Sequence, residues 1–420
     1  MGKTLLVTAV ALGLGAITTG AVAAPSVEEM WKIIQQQQNE IDRLKSQQSA
    51  TDVKLEETDI KVEATADALE QGGVAAASNR WASKTQVGGY GEIHYNNLDN
   101  DNNAASAKDD IDQIDLHRLV LFFNHQYNDK TRFFSELEVE HSLVAEDADG
   151  EVEVEQAFIE HDYTANHSLK AGLFLIPVGI INETHEPDTF YGTERNPVEK
   201  NIVPVTWWEA GVAFNGEIAP GLNYDVALTS GLGLDFTLGK YTVRDGRQKV
   251  SKARADAFAY TGRIKYTAIP GLELAATLQY QDDLYQDEFV TTSGNSGEVD
   301  ALLYEVHAVY RKDGFGLRVL YASWDIDSLI NEVKDGADEQ TGWTIEPSYR
   351  INESWGVFAR FNEWDNTAGA SSDSEYQQID VGVNYWLAPT VVLKADYQIQ
   401  DTPDSKDEFN DLNLGLGWSF

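Results

Sequence analysis

The chain has 420 residues, a formal net charge of −38 and no cysteine. Its 69 acidic residues outnumber 31 basic ones, which excludes a nucleic-acid-binding face built from clustered Lys and Arg. The lack of cysteine excludes disulfide scaffolds, zinc ribbons, iron–sulfur clusters and thiol nucleophiles.

The first segment has the layout of a secretory signal peptide. Lys3 precedes an apolar run from Leu5 to Ile17, and Ala21-Val22-Ala23 forms an A-x-A cleavage site. A membrane-anchoring helix is the alternative, although the run is short and rich in Gly. We therefore predict that residues 1–23 are a signal peptide and that the mature protein is exported.

Residues 24–71 are predicted to form a periplasmic coiled coil. One heptad frame holds from Val27 to Leu69, and six of the seven residues at its first core position are apolar. The second core position is more polar, so we expect a marginal oligomer supported by its attached domain. A lone amphipathic helix or a disordered linker is the alternative. Gly72-Gly73 ends the helix, and residues 72–85 form a flexible joint.

From residue 86 to residue 420 the periodicity changes to two, which is the period of β-strands. Segments of about 10–12 residues alternate apolar with polar side chains, as in Leu274 and Leu278 against Thr277 and Gln279. Such lengths suit strands tilted across a bilayer. Seven tight turns alternate with eight longer polar connectors, which gives sixteen strands. Short turns on one rim and long loops on the other are typical of an outer-membrane barrel.

A soluble sandwich or propeller is the alternative architecture. The sequence shows no blade repeat, and its last strand alternates up to a terminal Phe420, which resembles the assembly signal of outer-membrane proteins. We therefore predict an all-β transmembrane fold, a 16-stranded antiparallel β-barrel over 86–420 preceded by the N-terminal coiled-coil helix. Candidates for its interfacial aromatic girdles are Tyr90, Tyr127, Tyr163, Tyr266, Tyr310, Trp355, Trp386 and Trp418.

A barrel of this size leaves an aqueous lumen, so charges that alternate with lipid-facing residues line water. Acidic residues of the third strand lie from mid-pore upward, and most basic candidates fall toward the periplasmic side. This pattern predicts an acidic outer mouth above a more basic lower lumen. The predicted pore-wall residues are Arg132, Glu136, Glu138, Glu140, Arg263, Arg318, Arg350 and Arg360.

The connector at 177–207 follows the fifth strand and is the longest in the barrel region. Long loops without secondary structure are usually functional or disordered. This one keeps hydrophobic residues such as Ile180, Phe190 and Val203, which an outside loop does not need. We predict that it bends into the lumen, with an ordinary surface loop as the alternative. The candidate constriction residues are Glu183, His185, Glu186, Asp188, Glu194, Arg195, Glu199 and Lys200.

Residues 86–420 resemble the porins of the phosphate-selective O and P family. The resemblance rests on the sixteen-strand organisation, the stretch Gly172-x-Phe174-x-x-Pro177-x-Gly179, the Phe190 and Glu194-Arg195 elements, and the aromatic C-terminus. It implies a homotrimer in the outer membrane whose third loop folds inward. The third loop departs from the family, whose phosphate selection uses many Arg and Lys. It carries only Arg195 and Lys200 against several carboxylates.

The sequence favours a diffusion channel for ions and small hydrophilic solutes, with a weak cation preference set by the acidic mouth. An anion- or phosphate-selective channel and a barrel acting mainly as a tether or adhesin are the alternatives. An enzyme is not expected, because the eight His are scattered and no nucleophile motif occurs. We predict no cofactor and no metal site. The expected partners are further copies of the chain, outer-membrane lipid and lipopolysaccharide.

Overall fold

A computed structural model describes residues 81–420 except 103–107, 144–149, 288, 291–293, 295 and 405. The predicted signal peptide, the coiled coil and residues 72–80 of the joint lie outside the described residues and stay predictions. Within the described part of the chain, no helix has the length and hydropathy needed to cross a bilayer.

Sixteen antiparallel strands close into one barrel, which confirms the predicted 16-stranded antiparallel β-barrel. Each strand pairs with its sequence neighbours, except that β1 also pairs with β18 and β9 with β12. The short strands β10 (Phe289–Val290) and β11 (Ser296–Gly297) form a separate hairpin. The barrel strands are β1 (Thr85–Asn100), β2 (Ile111–Asn128), β3 (Thr131–Glu140), β4 (Val152–Asp162), β5 (His167–Leu175), β6 (Trp208–Ala219), β7 (Leu222–Thr229), β8 (Ala259–Tyr266), β9 (Leu272–Gln281), β12 (Ala301–Lys312), β13 (Phe315–Ile326), β14 (Glu339–Arg350), β15 (Trp355–Asp365), β16 (Tyr376–Ala388), β17 (Val391–Asp401) and β18 (Phe409–Ser419).

The barrel closes where the last strand meets the first. Tyr90 lies opposite Ser419, and the pairing continues to Asn100 opposite Phe409. The backbones of Gly89 and Phe420 exchange two hydrogen bonds, of 3.0 and 2.9 Å. A closed sheet leaves no unpaired edge, as a bilayer requires, because lipid offers no partner for backbone N–H and C=O groups.

The alternation along each strand sends apolar side chains outward and polar side chains inward. On β9, Leu274 and Leu278 are 42% and 57% exposed, whereas Thr277 and Gln279 are each 1% exposed. This is the reverse of a water-soluble protein. A charged residue at the lipid face costs roughly 2–4 kcal/mol near the bilayer midplane, so the pattern fixes the register of every strand.

For two of the aromatic residues, the prediction that they belong to the interfacial girdles is wrong, because their side chains lie on the inward face of the barrel. Tyr90 is fully buried, and its hydroxyl donates to Glu136 at 3.2 Å. Trp386 is 7% exposed, and the Arg350 guanidinium lies 3.4 Å from its ring centroid. Proximity to a strand end therefore does not identify a girdle residue, since membership of the outward face is also needed.

The main hydrophobic core is formed by loops that pack on inward-facing strand residues. The loop between β5 and β6, residues 176–207 and hereafter L3, supplies Ile176, Val198 and Trp207 to this core. It contains the short helix α1 (Val198–Asn201). Short 3-10 segments in other loops, at Phe236–Leu238, Val243–Gly246 and Ser328–Glu332, each add at least one buried residue. The core fastens L3 against β12 and β13, which contribute Leu303 and Trp324.

Candidate functional site: the third loop and the pore wall

Three arginines on three different strands donate hydrogen bonds to backbone carbonyls of L3. They are Arg118 of β2, Arg318 of β13 and Arg360 of β15, and their acceptors are the carbonyls of His185 (2.7 Å), Thr189 (2.7 Å) and Glu194 (3.2 Å). Hydrogen bonds from a charged donor are about twice as strong as neutral ones. The wall therefore holds the backbone of L3 at several points around the barrel.

The tip of L3 also contacts the strands that close the barrel. The Thr193 N–H donates to Asp396 of β17 at 2.6 Å, and the Ser419 hydroxyl of β18 donates to Asp188 at 2.7 Å. Small residues on the inward face of β18 make room for it. A Cβ added at Gly417 would lie 2.5 Å from the Pro187 Cβ, so only glycine permits this approach.

The remainder of L3 is fixed by its own polar groups and by β13. Glu199, at the start of α1, is fully buried and accepts from the N–H groups of Ile180 (2.6 Å) and Ile181 (2.9 Å). Burial raises the pKa of this carboxyl, although those hydrogen bonds oppose the rise. The Trp324 indole donates to the Ile202 carbonyl at 2.9 Å. Glu199 thus serves the internal structure of L3 and does not present its charge to an aqueous path.

The other predicted constriction residues lie at several places along L3. Glu183 and Lys200 are exposed, whereas His185 is 3% exposed and packed against acidic wall residues. The partners of the half-buried members are Ser419 for Asp188, His94 for Glu194 (3.0 Å) and the Thr206 hydroxyl for Arg195 (2.7 Å). Glu186 is also half-buried, and no described group bonds its Oε2 atom.

Most of the predicted pore-wall charges form ion pairs. Arg132 pairs with Glu160 (2.6 Å) and Asp162 (2.7 Å). Three of the four remaining basic members also form ion pairs, namely Arg263 with Asp225 (2.8 Å) and Glu183, Arg318 with Glu346 (3.7 Å), and Arg360 with Asp380 (3.0 Å). The fourth, Arg350, pairs with no described carboxylate and donates to the carbonyls of Asn352 and Glu353. Glu136 and Glu138 are buried, while Glu140 is half-buried at the end of β3. Paired charges contribute less to the field in the lumen than their number suggests.

A cavity of about 1080 Å³ occupies the lumen next to the tight turns. Its lining includes Gly271 and Gly314, which belong to those turns, together with Glu183 and Thr189 of L3. Six basic and four acidic side chains line it: Arg263, Lys265, Arg311, Lys312, Arg318 and Arg350, with Glu183, Asp188, Glu273 and Asp313. The lining is therefore net positive, and Arg350 forms part of it while stacked on Trp386.

A second basic cluster lies on the loops and consists of Arg195, Arg244 and Arg247. Only Arg195 is among the site residues predicted from the sequence. Arg244 donates to the carbonyls of Lys200 (3.0 Å) and Val205 (2.7 Å), and Arg247 donates to that of Thr206 (2.6 Å). None of the three arginines forms an ion pair with a carboxylate that the structure describes. Burial, followed by the nearby Arg247 and Arg195, lowers the pKa of Arg244 to about 9. The positively charged side chains of this cluster thus repel one another, and burial adds to the free-energy cost of keeping them charged.

Sequence reasoning missed several groups that hold L3. Arg118 is 1% exposed and donates to Glu92 at 2.6 Å. His94 lies between Glu92 (3.2 Å) and Glu194. One available signal was the Gly415-x-Gly417 pair within an otherwise alternating strand, because glycine inside a strand often marks the close approach of another backbone. No local signal identifies Arg118, whose partners on L3 lie far away in sequence.

Comparison with known proteins agrees with this architecture. The family model described as Gram-negative porin matches residues 64–405. An uncharacterised protein of Aquifex aeolicus (strain VF5) is 30% identical over 364 residues, which cover 80% of this chain and 79% of that protein.

Two solved structures show a similar fold. An anion-selective porin from Comamonas acidovorans has a TM-score of 0.56 and 12% identity, over 80% of this chain and 99% of that one. The trimer form of OmpT, an outer membrane protein of Vibrio cholerae, has a TM-score of 0.50 and 13% identity, over 80% and 99%. The family and the fold indicate a channel rather than an enzyme. The family match over most of the chain, joined to the closed sixteen-stranded barrel, shows that this chain belongs to the Gram-negative porins of the outer membrane.

Proposed function

We propose that this porin is a water-filled trimeric channel for passive diffusion of ions and small hydrophilic solutes, and that L3 narrows its lumen. The contacts of L3 carry the proposal. They join one loop to inward-facing groups of β2, β13, β15, β17 and β18, on different sides of the barrel. A loop over the outer rim would not reach all of these strands together. A barrel of sixteen strands is wide enough to keep an aqueous path beside such a loop.

The trimer rests on the predicted coiled coil and on the relative from Vibrio cholerae that is described in a trimer form. Analytical ultracentrifugation of the purified protein in detergent tests it. We expect a mass of three chains after correction for bound detergent. A monomer at every concentration would contradict this part of the proposal.

An engineered disulfide tests the position of L3. A Cβ built at Gly415 lies 3.1 Å from the Thr193 Cγ2 atom, which suits a disulfide between cysteines at these two positions. The chain has no native cysteine to interfere. We expect Thr193→Cys/Gly415→Cys to cross-link on mild oxidation in intact cells. The matched control is Thr193→Cys/Leu414→Cys, because Leu414 is exposed on the outward face of β18. Absence of the first cross-link in a folded barrel would place L3 elsewhere.

Liposome swelling tests diffusion. Vesicles that contain the protein should swell in isotonic solutions of small neutral sugars, and the rate should fall steeply as sugar size increases. Vesicles in which the protein is folded but impermeable would instead support the alternative role as a tether or adhesin.

An anion-selective channel is the second candidate, and two observations favour it over the weak cation preference expected from the acidic mouth. The cavity beside the turns has a net positive lining, and Arg195, Arg244 and Arg247 lack described ion-pair partners. Charge concentrated along a narrow path sets the sign of the ions that it admits. The relative from Comamonas acidovorans is described as anion-selective. The reversal potential in a KCl gradient distinguishes the two preferences, and competition by inorganic phosphate tests the narrower phosphate-selective alternative.

A further inference from the structure

A buried cluster outside the cavity joins L3 to the barrel wall. It consists of His185 from L3, Glu136 from β3 and Glu155 from β4, which are 3%, 1% and 1% exposed. The His185 Nε2 atom lies 3.5 Å from Glu136 Oε1 and 3.3 Å from Glu155 Oε2. One potential ligand atom from each residue lies within 4.8 Å of the other two.

The hydrogen bond on the other side of the ring sets the tautomer of His185. Its Nδ1 atom lies 3.1 Å from the Asn182 carbonyl oxygen, which only accepts, so Nδ1 carries a proton. In the neutral imidazole the Nε2 atom then presents a lone pair to the two carboxylates. Neither Nε2 nor the Glu155 Oε2 atom has a hydrogen-bond partner among the described residues.

The two carboxylates and the Nε2 lone pair face one another in a buried space, so they repel one another unless a cation lies between them. That cation is either a metal ion or a proton, and a proton binds Nε2 in preference to the carboxylates because imidazole is the stronger base. With the proton, His185 is an imidazolium, and the carboxylates raise its pKa to about 10 against the opposing effect of burial. With a metal ion, the same three groups are ligands.

The distances and the outer partners suit a metal ion. Four ligands at bonds of about 2.0–2.1 Å in a tetrahedron lie about 3.3 Å apart, close to the two separations from Nε2. Glu136 is oriented by the Tyr90 hydroxyl (3.2 Å) and by the Gln156 amide (2.7 Å). Metal-binding His and carboxylate groups usually have such outer hydrogen bonds, and a backbone carbonyl is a common partner for the second ring nitrogen.

We propose that His185, Glu136 and Glu155 form a binding site for a divalent transition-metal ion, with zinc as the expected occupant, which pins L3 to β3 and β4. One imidazole and two carboxylates provide three ligands, and water completes the tetrahedron. The ion neutralises two buried carboxylates. It also joins the loop to the wall by bonds that a proton does not supply. The site is independent of the solute that the channel passes.

Metal analysis of the purified full chain tests the proposal. The protein is stripped with EDTA, dialysed, incubated with Zn²⁺ and desalted, and zinc per chain is measured by mass spectrometry. We expect His185→Gln and Glu155→Gln to lose one equivalent of zinc relative to the wild type. The matched control His161→Gln should lose none, because His161 is exposed and bonds only the Thr131 hydroxyl among described groups.

Zinc could also bind a second group of potential ligands, which consists of His94, His117 and Glu194. The variant His94→Gln controls for this, because it should not remove the zinc ion bound at His185. Heat-modifiable gel mobility reports whether each variant is folded. If His185→Gln does not fold, Glu155→Gln and the wild-type stoichiometry decide the question. A wild type that retains no zinc, or equal zinc in the wild type and both folded site variants, would overturn the proposal in favour of the imidazolium.

Discussion

Replacing Arg360 by Gln should loosen L3 within the lumen. Arg360 is 3% exposed and donates to Asp380 at 3.0 Å. It also donates to two L3 carbonyls, those of Tyr191 (3.4 Å) and Glu194 (3.2 Å). Gln is shorter and uncharged, so we expect both bonds to L3 to be lost and Asp380 to be left without its charged partner.

The size of the effect follows from these contacts. Hydrogen bonds to charged groups contribute about 1.5–3 kcal/mol each, and the two bonds to L3 are long, so the lower value gives about 3 kcal/mol for the pair. Since 1.36 kcal/mol corresponds to a factor of ten, the ratio of detached to seated L3 should rise by about a hundredfold. Breaking the buried ion pair costs the barrel a further 3–5 kcal/mol or so.

Single-channel current noise is the appropriate assay, because movement of L3 changes the width of the path. Arg360→Gln should show frequent conductance fluctuations that the wild type lacks. The double variant Arg360→Gln/Asp380→Asn removes the unpaired carboxylate, so it should regain heat stability but keep the noise. Arg132→Gln is the matched control, since it breaks two ion pairs on the wall, with Glu160 and Asp162, neither of which involves L3. Wild-type noise in folded Arg360→Gln, or equal noise in the control, would refute the reasoning.

Three other changes test separate parts of the structure. Gly417→Val should displace L3 and alter the conductance, because overpacking costs about 1–3 kcal/mol. The control Gly262→Val should leave the conductance unchanged, because no atom lies within 4 Å of the new Cβ. Burial opposes ionisation of Glu194, but the effect of His94 is larger and holds the pKa of Glu194 below its usual range. The Glu194–His94 ion pair therefore contributes fully above about pH 4.3, the usual pKa of Glu, and is lost only as the pH falls through the lower pKa that Glu194 has in the folded protein. His94→Gln should therefore raise the pH at which acid changes the conductance; an unchanged midpoint would contradict the pairing. Arg244→Gln/Arg247→Gln should shift the reversal potential toward cations, and no shift relative to Lys240→Gln, a variant of an exposed loop lysine, would count against the anion path.

The barrel could be predicted from the sequence because lipid imposes one simple condition on every strand. Outward positions must be apolar, so β9 shows its period in Leu274 and Leu278 without reference to any other strand. The prediction that Tyr90 and Trp386 belong to the girdles is wrong because an aromatic residue also packs well inside the lumen. Their inward direction follows from the polar residues that share their faces.

The anchors of L3 could not be predicted, because each depends on contacts across the barrel. Arg118 and His185 are 67 residues apart in sequence, and the folded barrel brings them together. The role of Glu155 could not be predicted for a second reason. The register between β3 and β4 shifts after Glu136, where Gln156 and Val154 pair with consecutive residues of β3 and leave Glu155 between them. A bulge of this kind redirects a side chain that strict alternation would assign to the other face.

Single-channel recording of the purified wild type in a planar bilayer tests the central claim most directly, namely that this chain forms a water-filled pore. The proposed function predicts openings in groups of three equal steps, with a conductance that rises in proportion to KCl concentration. Folded protein that inserts into the bilayer yet passes no current would contradict it.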